Sequence, residues 1–144
     1  MIYLDTSLLL VYTLTQAIEV ERFHAVDRLF LKIASGEISV ATSFYALHEV
    51  YVFALENAPD LEEGYAFGKL ALQKIIATRL RILPFLSRGE RTRLARRFAA
   101  LRDPGDIPHA ISAYVAECEA IVAYDDHYRA VAGIIPYRNP EDYF

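Results

Sequence analysis

Cysteine is nearly absent from this chain of 144 residues, whose one thiol belongs to Cys118. A lone cysteine excludes an intrachain disulfide and a zinc site built from several cysteines. No apolar run reaches the roughly 18 residues that a membrane helix needs, and the first residues have neither the basic region nor the cleavage site of a signal peptide. We therefore expect a soluble cytoplasmic protein without a membrane segment.

The chain also has no internal repeat, no low-complexity tract and no segment that resembles a linker between domains. Its six prolines and six glycines are dispersed along the sequence. A hydrophobic fraction of 54% is ample to build one large core at this length. We predict a single domain that covers residues 1–144.

Short apolar strands alternate with segments of helical periodicity along the whole chain. Strands are predicted for Ile2–Leu4, Ile38–Ala41, Leu80–Leu83, Ala120–Ala123 and Ile134–Pro136. Helices are predicted for Leu8–Leu14 after a cap at Thr6 or Ser7, for Phe23–Ala34, from a cap at Thr42 or Ser43 to Asn57, and for Leu61–Ala77, Ser87–Leu101, Ile107–Glu117 and Asp126–Val131. This alternation predicts a three-layer α/β/α fold with a mostly parallel central sheet.

Acidic residues follow two of the predicted strands. Asp5 follows the first strand, Asp125 and Asp126 follow the fourth, and Asp106 begins the helix that leads into the fourth. Ligands bind at the carboxyl ends of the strands in parallel sheets, so these acids are candidates for a common site. Each aspartate also has a simpler interpretation as a helix cap or turn residue.

Glu49 is a further candidate because most of its neighbours in the predicted helix are apolar, although it could instead pair with a nearby arginine. Four carboxylates at one place would repel each other unless cations neutralised them. Oxygen ligands without cysteine favour hard ions such as Mg²⁺ or Mn²⁺. An ion of this kind can activate water for phosphodiester hydrolysis.

Basic residues are concentrated between Arg79 and Arg102, where eight arginines accompany one acid. The segment therefore carries +7 and the rest of the chain −11, within a net charge of −4. Such a segment is either a phosphate-binding surface, with Arg93, Arg96 and Arg97 as candidate contacts, or a solvated helix face. Because His109 lies three residues after Asp106, and His127 two after Asp125, either imidazole is a candidate contact to substrate phosphate.

Four short stretches together resemble a PIN domain over essentially the whole chain. They are Tyr-Leu-Asp5-Thr-Ser, His-Glu49-Val, Asp106-Ile-Pro-His-Ala and Ile-Val-Ala-Tyr-Asp125-Asp-His-Tyr. Each stretch is short, and the specificity comes from their order, their spacing and the matching α/β pattern. The resemblance implies a ribonuclease whose Mg²⁺ or Mn²⁺ is held by Asp5, Glu49, Asp106 and Asp125.

The resemblance assigns supporting positions as well. Thr6 and Ser7 occupy the small polar positions after the first acid, Tyr128 replaces the usual phenylalanine, and Asp126 is expected to begin a helix and orient the site. Ala123 departs from the pattern because a threonine or serine is common there, and Tyr124 or Ser7 is expected to compensate. Asp103 is the lesser candidate for the third acid.

Single-domain chains of this length resemble VapC toxins, which implies a cognate antitoxin and a homodimer. The missing hydroxyl at Ala123 supports an alternative, a catalytically weak regulatory or RNA-binding module on the same scaffold. A phosphatase with an aspartyl-phosphate intermediate is a weaker alternative, because it requires an Asp-x-Asp pattern where Asp5 is followed by Thr6 and Ser7.

Overall fold

The computed structural model describes all 144 residues and contains one sheet of five parallel strands. The strands are β1 (Ile2–Leu4), β2 (Val40–Ser43), β3 (Leu80–Leu83), β4 (Ile121–Val122) and β5 (Tyr137–Arg138), arranged in the order β3-β2-β1-β4-β5. The predicted α/β class with a parallel sheet is therefore confirmed. With β1 at the centre, the chain winds to one side through β2 and β3 and then to the other through β4 and β5.

Six α-helices and three 3₁₀ helices surround the sheet. The α-helices are α1 (Thr6–Thr13), α2 (Val20–Ala34), α3 (Phe44–Asn57), α4 (Leu61–Ile76), α5 (Arg88–Leu94) and α6 (Asp106–Val115). The 3₁₀ helices are Ala95–Phe98, Asp126–Val131 and Pro140–Tyr143. None of the helices combines the length and apolarity that a membrane crossing requires.

The side chains of successive strand residues point to opposite faces of the sheet and build two cores. On one face, Ile2 and Leu4 pack with buried residues of the first four helices. On the other face, Tyr3 packs with buried residues of α6, such as Ile111, and with Phe98 of the first 3₁₀ helix. The two cores confirm the predicted three layers and place Tyr3 on the face that α6 covers.

Several predicted elements differ from the structure in their bounds or type. The second strand begins at Val40 rather than Ile38. The predicted strand Ile134–Pro136 is wrong, because the backbone amides of Ile134 and Ile135 both bond to the carbonyl of Val131 and so close a turn. The basic helix is regular only to Leu94 and then tightens into the 3₁₀ helix.

Two glycines allow α3 and α4 to pack closely. A Cβ atom at Gly68 would lie 2.7 Å from Cδ2 of Tyr51, and one at Gly64 would lie 2.9 Å from Cα of Leu55. Larger side chains would push the helices apart, so the glycines permit this contact despite their low helix propensity. Because α4 packs closely against α3, it fixes the position of the helix that carries Glu49.

Candidate metal centre

Asp106, Asp125 and His127 form a compact group at the carboxyl edge of the sheet. The Nδ1 atom of His127 lies 3.2 Å from Oδ1 of Asp125 and 3.5 Å from Oδ2 of Asp106. One potential ligand atom from each residue lies within 4.8 Å of the others. Asp106 is the first residue of α6, while Asp125 precedes the 3₁₀ helix that follows β4.

The carboxylate of Asp106 has an unsatisfied oxygen. Its Oδ2 atom is buried and has no hydrogen-bond partner, because the 3.5 Å contact with His127 does not have hydrogen-bond geometry. Burial, and after it the nearby carboxylates of Asp5 and Asp125, together raise the pKa of Asp106 to about 6. A buried, repelled and unpartnered carboxylate oxygen fits a bound cation.

Asp5 is held rigidly by its protein contacts. It caps α1, and its Oδ2 accepts hydrogen bonds from the backbone amide of Ser7 at 3.0 Å and from the Ser7 hydroxyl at 2.7 Å. Its Oδ1 accepts a hydrogen bond from the buried Tyr128 hydroxyl at 2.8 Å. A carboxylate offers about four lone-pair sites, so Asp5 keeps capacity for a metal. The N-cap of α1 is therefore Asp5, and not Thr6 or Ser7 as predicted.

Ser7 also connects Asp5 to the loop that contains Ala123. The Ser7 hydroxyl donates to Asp5 and accepts a hydrogen bond of 3.1 Å from the backbone amide of Tyr124. Ala123 itself is fully buried and offers no hydroxyl. Ser7 thus supplies a hydroxyl link between the first acid and this loop, and its compensation for Ala123 stays a prediction.

Glu49 is outside the close group of Asp106, Asp125 and His127, and its contacts are with Thr6, the residue after Asp5, and with His109. Its Oε2 accepts a hydrogen bond from the Thr6 hydroxyl, and its Oε1 lies 3.0 Å from Nε2 of His109. Burial raises the pKa of Glu49, but the hydrogen bonds from His109 and Thr6 outweigh it and hold the pKa below its usual value. Glu49 is therefore kept ionised at neutral pH.

His109 is buried, so the structure gives it a supporting contact to Glu49 and no exposed edge for a phosphate. Its Nδ1 atom lies 2.8 Å from the hydroxyl of Tyr3, which in turn lies 2.7 Å from the hydroxyl of Ser43. Tyr3 and Ser43 were not among the sequence candidates. One feature of the sequence could have identified Tyr3: it stands two residues before Asp5, and alternate residues of a strand point to the same face of the sheet.

The arginines of the basic segment lie in two regions, one near the carboxyl end of α6 and one beside Asp126 and His127. Arg97 bonds to the hydroxyl of Tyr114, near the far end of α6 from Asp106, and Arg93 lines a cavity with the same tyrosine. Arg93, Arg96 and Arg97 are all exposed, and their contact with RNA phosphate stays a prediction. Arg102 instead lines a cleft of about 240 Å³ with Asp126 and His127, directly beside the acids.

Of the predicted ligands, Asp106 and Asp125 lie together. Asp5 is close enough to raise the pKa of Asp106. Glu49 contacts Thr6, the residue after Asp5, and His109, one turn after Asp106. Their role as metal ligands stays a prediction. The sequence did not identify His127 as a ligand candidate, although its spacing from Asp125 had marked it as a possible phosphate contact. Asp126 is exposed and begins the 3₁₀ helix as expected.

The structure has a five-stranded parallel sheet with acids at its carboxyl edge, and the resemblance to a PIN domain predicts this architecture. No protein-family model and no curated protein sequence matches the chain. Similar solved folds do exist. VapC20 of Mycobacterium tuberculosis, described as a toxin that cleaves the sarcin-ricin loop, is 18% identical with a TM-score of 0.68, over 94% of this chain and 98% of that one.

Two complexes show the same likeness. VapBC2 of Rickettsia felis, bound to a DNA fragment of its promoter, matches at 17% identity and a TM-score of 0.66, over 96% of this chain and 98% of that one. DNA-bound VapBC of Salmonella typhimurium matches at 20% identity and a TM-score of 0.58, over 96% and 97% of the two chains. The fold of this chain is therefore a VapC-like PIN fold, as the sequence predicted.

Proposed function

We propose that this protein is a Mg²⁺- or Mn²⁺-dependent endoribonuclease of the cytoplasm. The observation that carries the proposal is the buried, unpartnered Oδ2 of Asp106 beside Asp125 and His127, at the edge of a VapC-like sheet. A divalent cation relieves the repulsion among these carboxylates and requires oxygen ligands of this kind. Asp5, Glu49, Asp106 and Asp125 are the proposed ligands.

The side chains of the proposed site have different roles in phosphodiester hydrolysis. A bound cation lowers the pKa of a coordinated water and stabilises the charge that develops on the phosphate. Ser7 and Tyr128 fix Asp5 through three hydrogen bonds, so little reorganisation accompanies ligand binding. Arg102 lines the same cleft as His127 and is the basic side chain that we propose to bind a phosphate of the RNA.

The decisive test is cleavage of labelled RNA with and without Mn²⁺. Wild type is expected to cleave only with the metal, and Asp5→Asn and Asp106→Asn are expected to lose activity by about 100-fold or more. Asp103→Asn is the matched control, since Asp103 is exposed, lies three residues before Asp106 in the preceding loop and was the lesser candidate. Equal cleavage by wild type and Asp106→Asn would refute the proposal, and a wild type that shows no Mn²⁺ binding by calorimetry would favour the weak regulatory module.

We further propose that the nuclease is the toxin of a toxin–antitoxin pair. Exposed apolar side chains of α4 line two clefts beside α3, Phe67 a cleft of about 210 Å³ and Leu61 and Tyr65 one of about 540 Å³, and Leu70 is exposed on the same helix. Apolar surface of this extent suits an amphipathic helix of a partner protein. Two of the similar structures are VapBC complexes, which supports an antitoxin as this partner.

Coexpression with the product of a neighbouring small reading frame tests the partner. The antitoxin is expected to copurify with wild type and to be lost from Tyr65→Lys, while Ile18→Lys, at a still more exposed apolar position elsewhere, keeps it. Copurification with both variants would place the interface elsewhere. Light scattering of the free protein tests the proposed homodimer, which is expected at twice the mass of one chain.

A further inference from the structure

The buried side chains behind the acids form a continuous chain of hydrogen bonds. It runs from the Ser43 hydroxyl to the Tyr3 hydroxyl over 2.7 Å, from Tyr3 to Nδ1 of His109 over 2.8 Å, and from Nε2 of His109 to Glu49 over 3.0 Å. Thr6 closes it by donating to the second oxygen of Glu49. Tyr3, Ser43 and His109 are almost fully buried.

One arrangement of hydrogens satisfies every member of this chain. The backbone amide of Ala46 donates to Ser43, Ser43 donates to Tyr3, and Tyr3 donates to Nδ1 of His109. Neutral His109 then carries its proton on Nε2 and donates to Glu49. A buried polar network of this kind is stabilising only when it is complete, which explains why a histidine fits among apolar neighbours.

The chain connects the elements that carry three of the four acids. Tyr3 lies on β1, two residues before Asp5, and Ser43 caps α3, which carries Glu49. His109 lies one turn after Asp106 on α6. A displacement of α6 would therefore move both Asp106 and the donor that holds Glu49.

We propose that His109, oriented by Tyr3, is a positioning residue that fixes the Glu49 carboxylate relative to Asp5 and Asp106 for metal binding. Glu49 needs such a restraint because its side chain is 42% exposed and has three rotatable bonds. A partner that orients a ligand typically contributes a factor of roughly 10 to 100 in metal affinity. The inference rests on the proposed metal-dependent function.

The test compares Tyr3→Phe, His109→Leu and His109→Gln by calorimetry with Mn²⁺ alone. Mn²⁺ affinity is expected to fall by roughly 10- to 100-fold in His109→Leu and by a smaller factor in Tyr3→Phe. His109→Gln is expected to rescue most of the affinity, because its amide nitrogen can donate to Glu49 in place of Nε2. Tyr114→Phe, which removes a hydroxyl from the far end of α6, is the matched control and keeps wild-type affinity.

Crystal structures of the metal-free variants give a second readout that does not depend on the metal. The Glu49 carboxylate is expected to leave its place beside Thr6 in His109→Leu and to stay there in His109→Gln. If Glu49 remains in place in both Tyr3→Phe and His109→Leu, or if their Mn²⁺ affinity equals that of wild type, the positioning role is refuted. If wild type binds no Mn²⁺, the proposed function is refuted. The position of Glu49 in the variants still shows whether His109 restrains the Glu49 carboxylate.

Discussion

The hydroxyl of Tyr128 donates a hydrogen bond of 2.8 Å to Oδ1 of Asp5, across 123 residues of sequence. The bond joins the 3₁₀ helix after β4 to the residue that follows β1, so the two sides of the candidate site are fixed to each other. Both residues are buried, and burial together with the charge of Asp5 raises the pKa of Tyr128 well above its ordinary value. Tyr128 therefore stays a donor throughout the accessible pH range.

Tyr128→Phe is expected to reduce the free energy of unfolding by about 1.5–3 kcal/mol, the usual contribution of a hydrogen bond to a charged group. The ring volume is preserved, so the loss reports the missing bond to Asp5. Urea denaturation, with an unchanged slope and a lower midpoint, measures it. Tyr114→Phe, whose hydroxyl contacts Arg97 at the surface, serves as the control and is expected to lose less than about 1 kcal/mol. Equal midpoints for Tyr128→Phe and wild type would contradict the expectation.

The convergence of the acids could be predicted from the sequence because it depends on backbone rules. Parallel strands bring their carboxyl ends to one edge, so Asp5 and Asp125 had to lie near each other once their strands were recognised. Asp106 followed from the position of Pro108 in the first turn of a helix, where proline is tolerated. These inferences need only strand ends and helix starts, which short-range patterns specify.

The hydrogen-bond chain through Tyr3, His109 and Ser43 could not be predicted in the same way. Its bonds join residues 40 and 106 positions apart, and they depend on rotamers that packing selects. The place of Arg102 could not be predicted either, because the predicted regular helix ends at Leu94 and a 3₁₀ helix and a loop follow it. Arg102 lines a cleft with His127.

Metal affinity is expected to depend on pH through Asp106. Its pKa is about 6, so protons compete with the cation below that value. Mn²⁺ affinity is expected to be constant above about pH 7 and to decrease by up to roughly tenfold per pH unit below 6. Calorimetry at pH 7.5 and 5.0 measures the change, and affinity that is unchanged between them would contradict this assignment.

The same raised pKa affects the stability of the metal-free protein with a defined sign. Asp106 binds its proton more tightly when folded than when unfolded, so the free energy of unfolding decreases as pH rises from about 4 to about 6. Asp106→Asn removes this ionisation and is expected to be more stable than wild type at pH 7, by on the order of 1 kcal/mol after solvent screening is considered. Denaturation at pH 4 and pH 7 without metal should show the difference only at the higher pH, and a variant less stable than wild type at pH 7 would contradict the assignment.

His127 gives the candidate site a nitrogen donor among its oxygens, and this predicts a preference between metals. Imidazole is a better ligand for transition metals than for Mg²⁺, and Nδ1 of His127 lies within 3.5 Å of oxygens from both Asp106 and Asp125. His127→Ala is expected to weaken Mn²⁺ binding by about tenfold or more and Mg²⁺ binding by less than about threefold. His24→Ala, at an exposed histidine of α2, is the control and should change neither. Parallel titrations with the two metals measure the ratio of affinities. An equal loss for both would show that His127 acts on the charge of the carboxylates, because a ligand to the cation would distinguish the two ions.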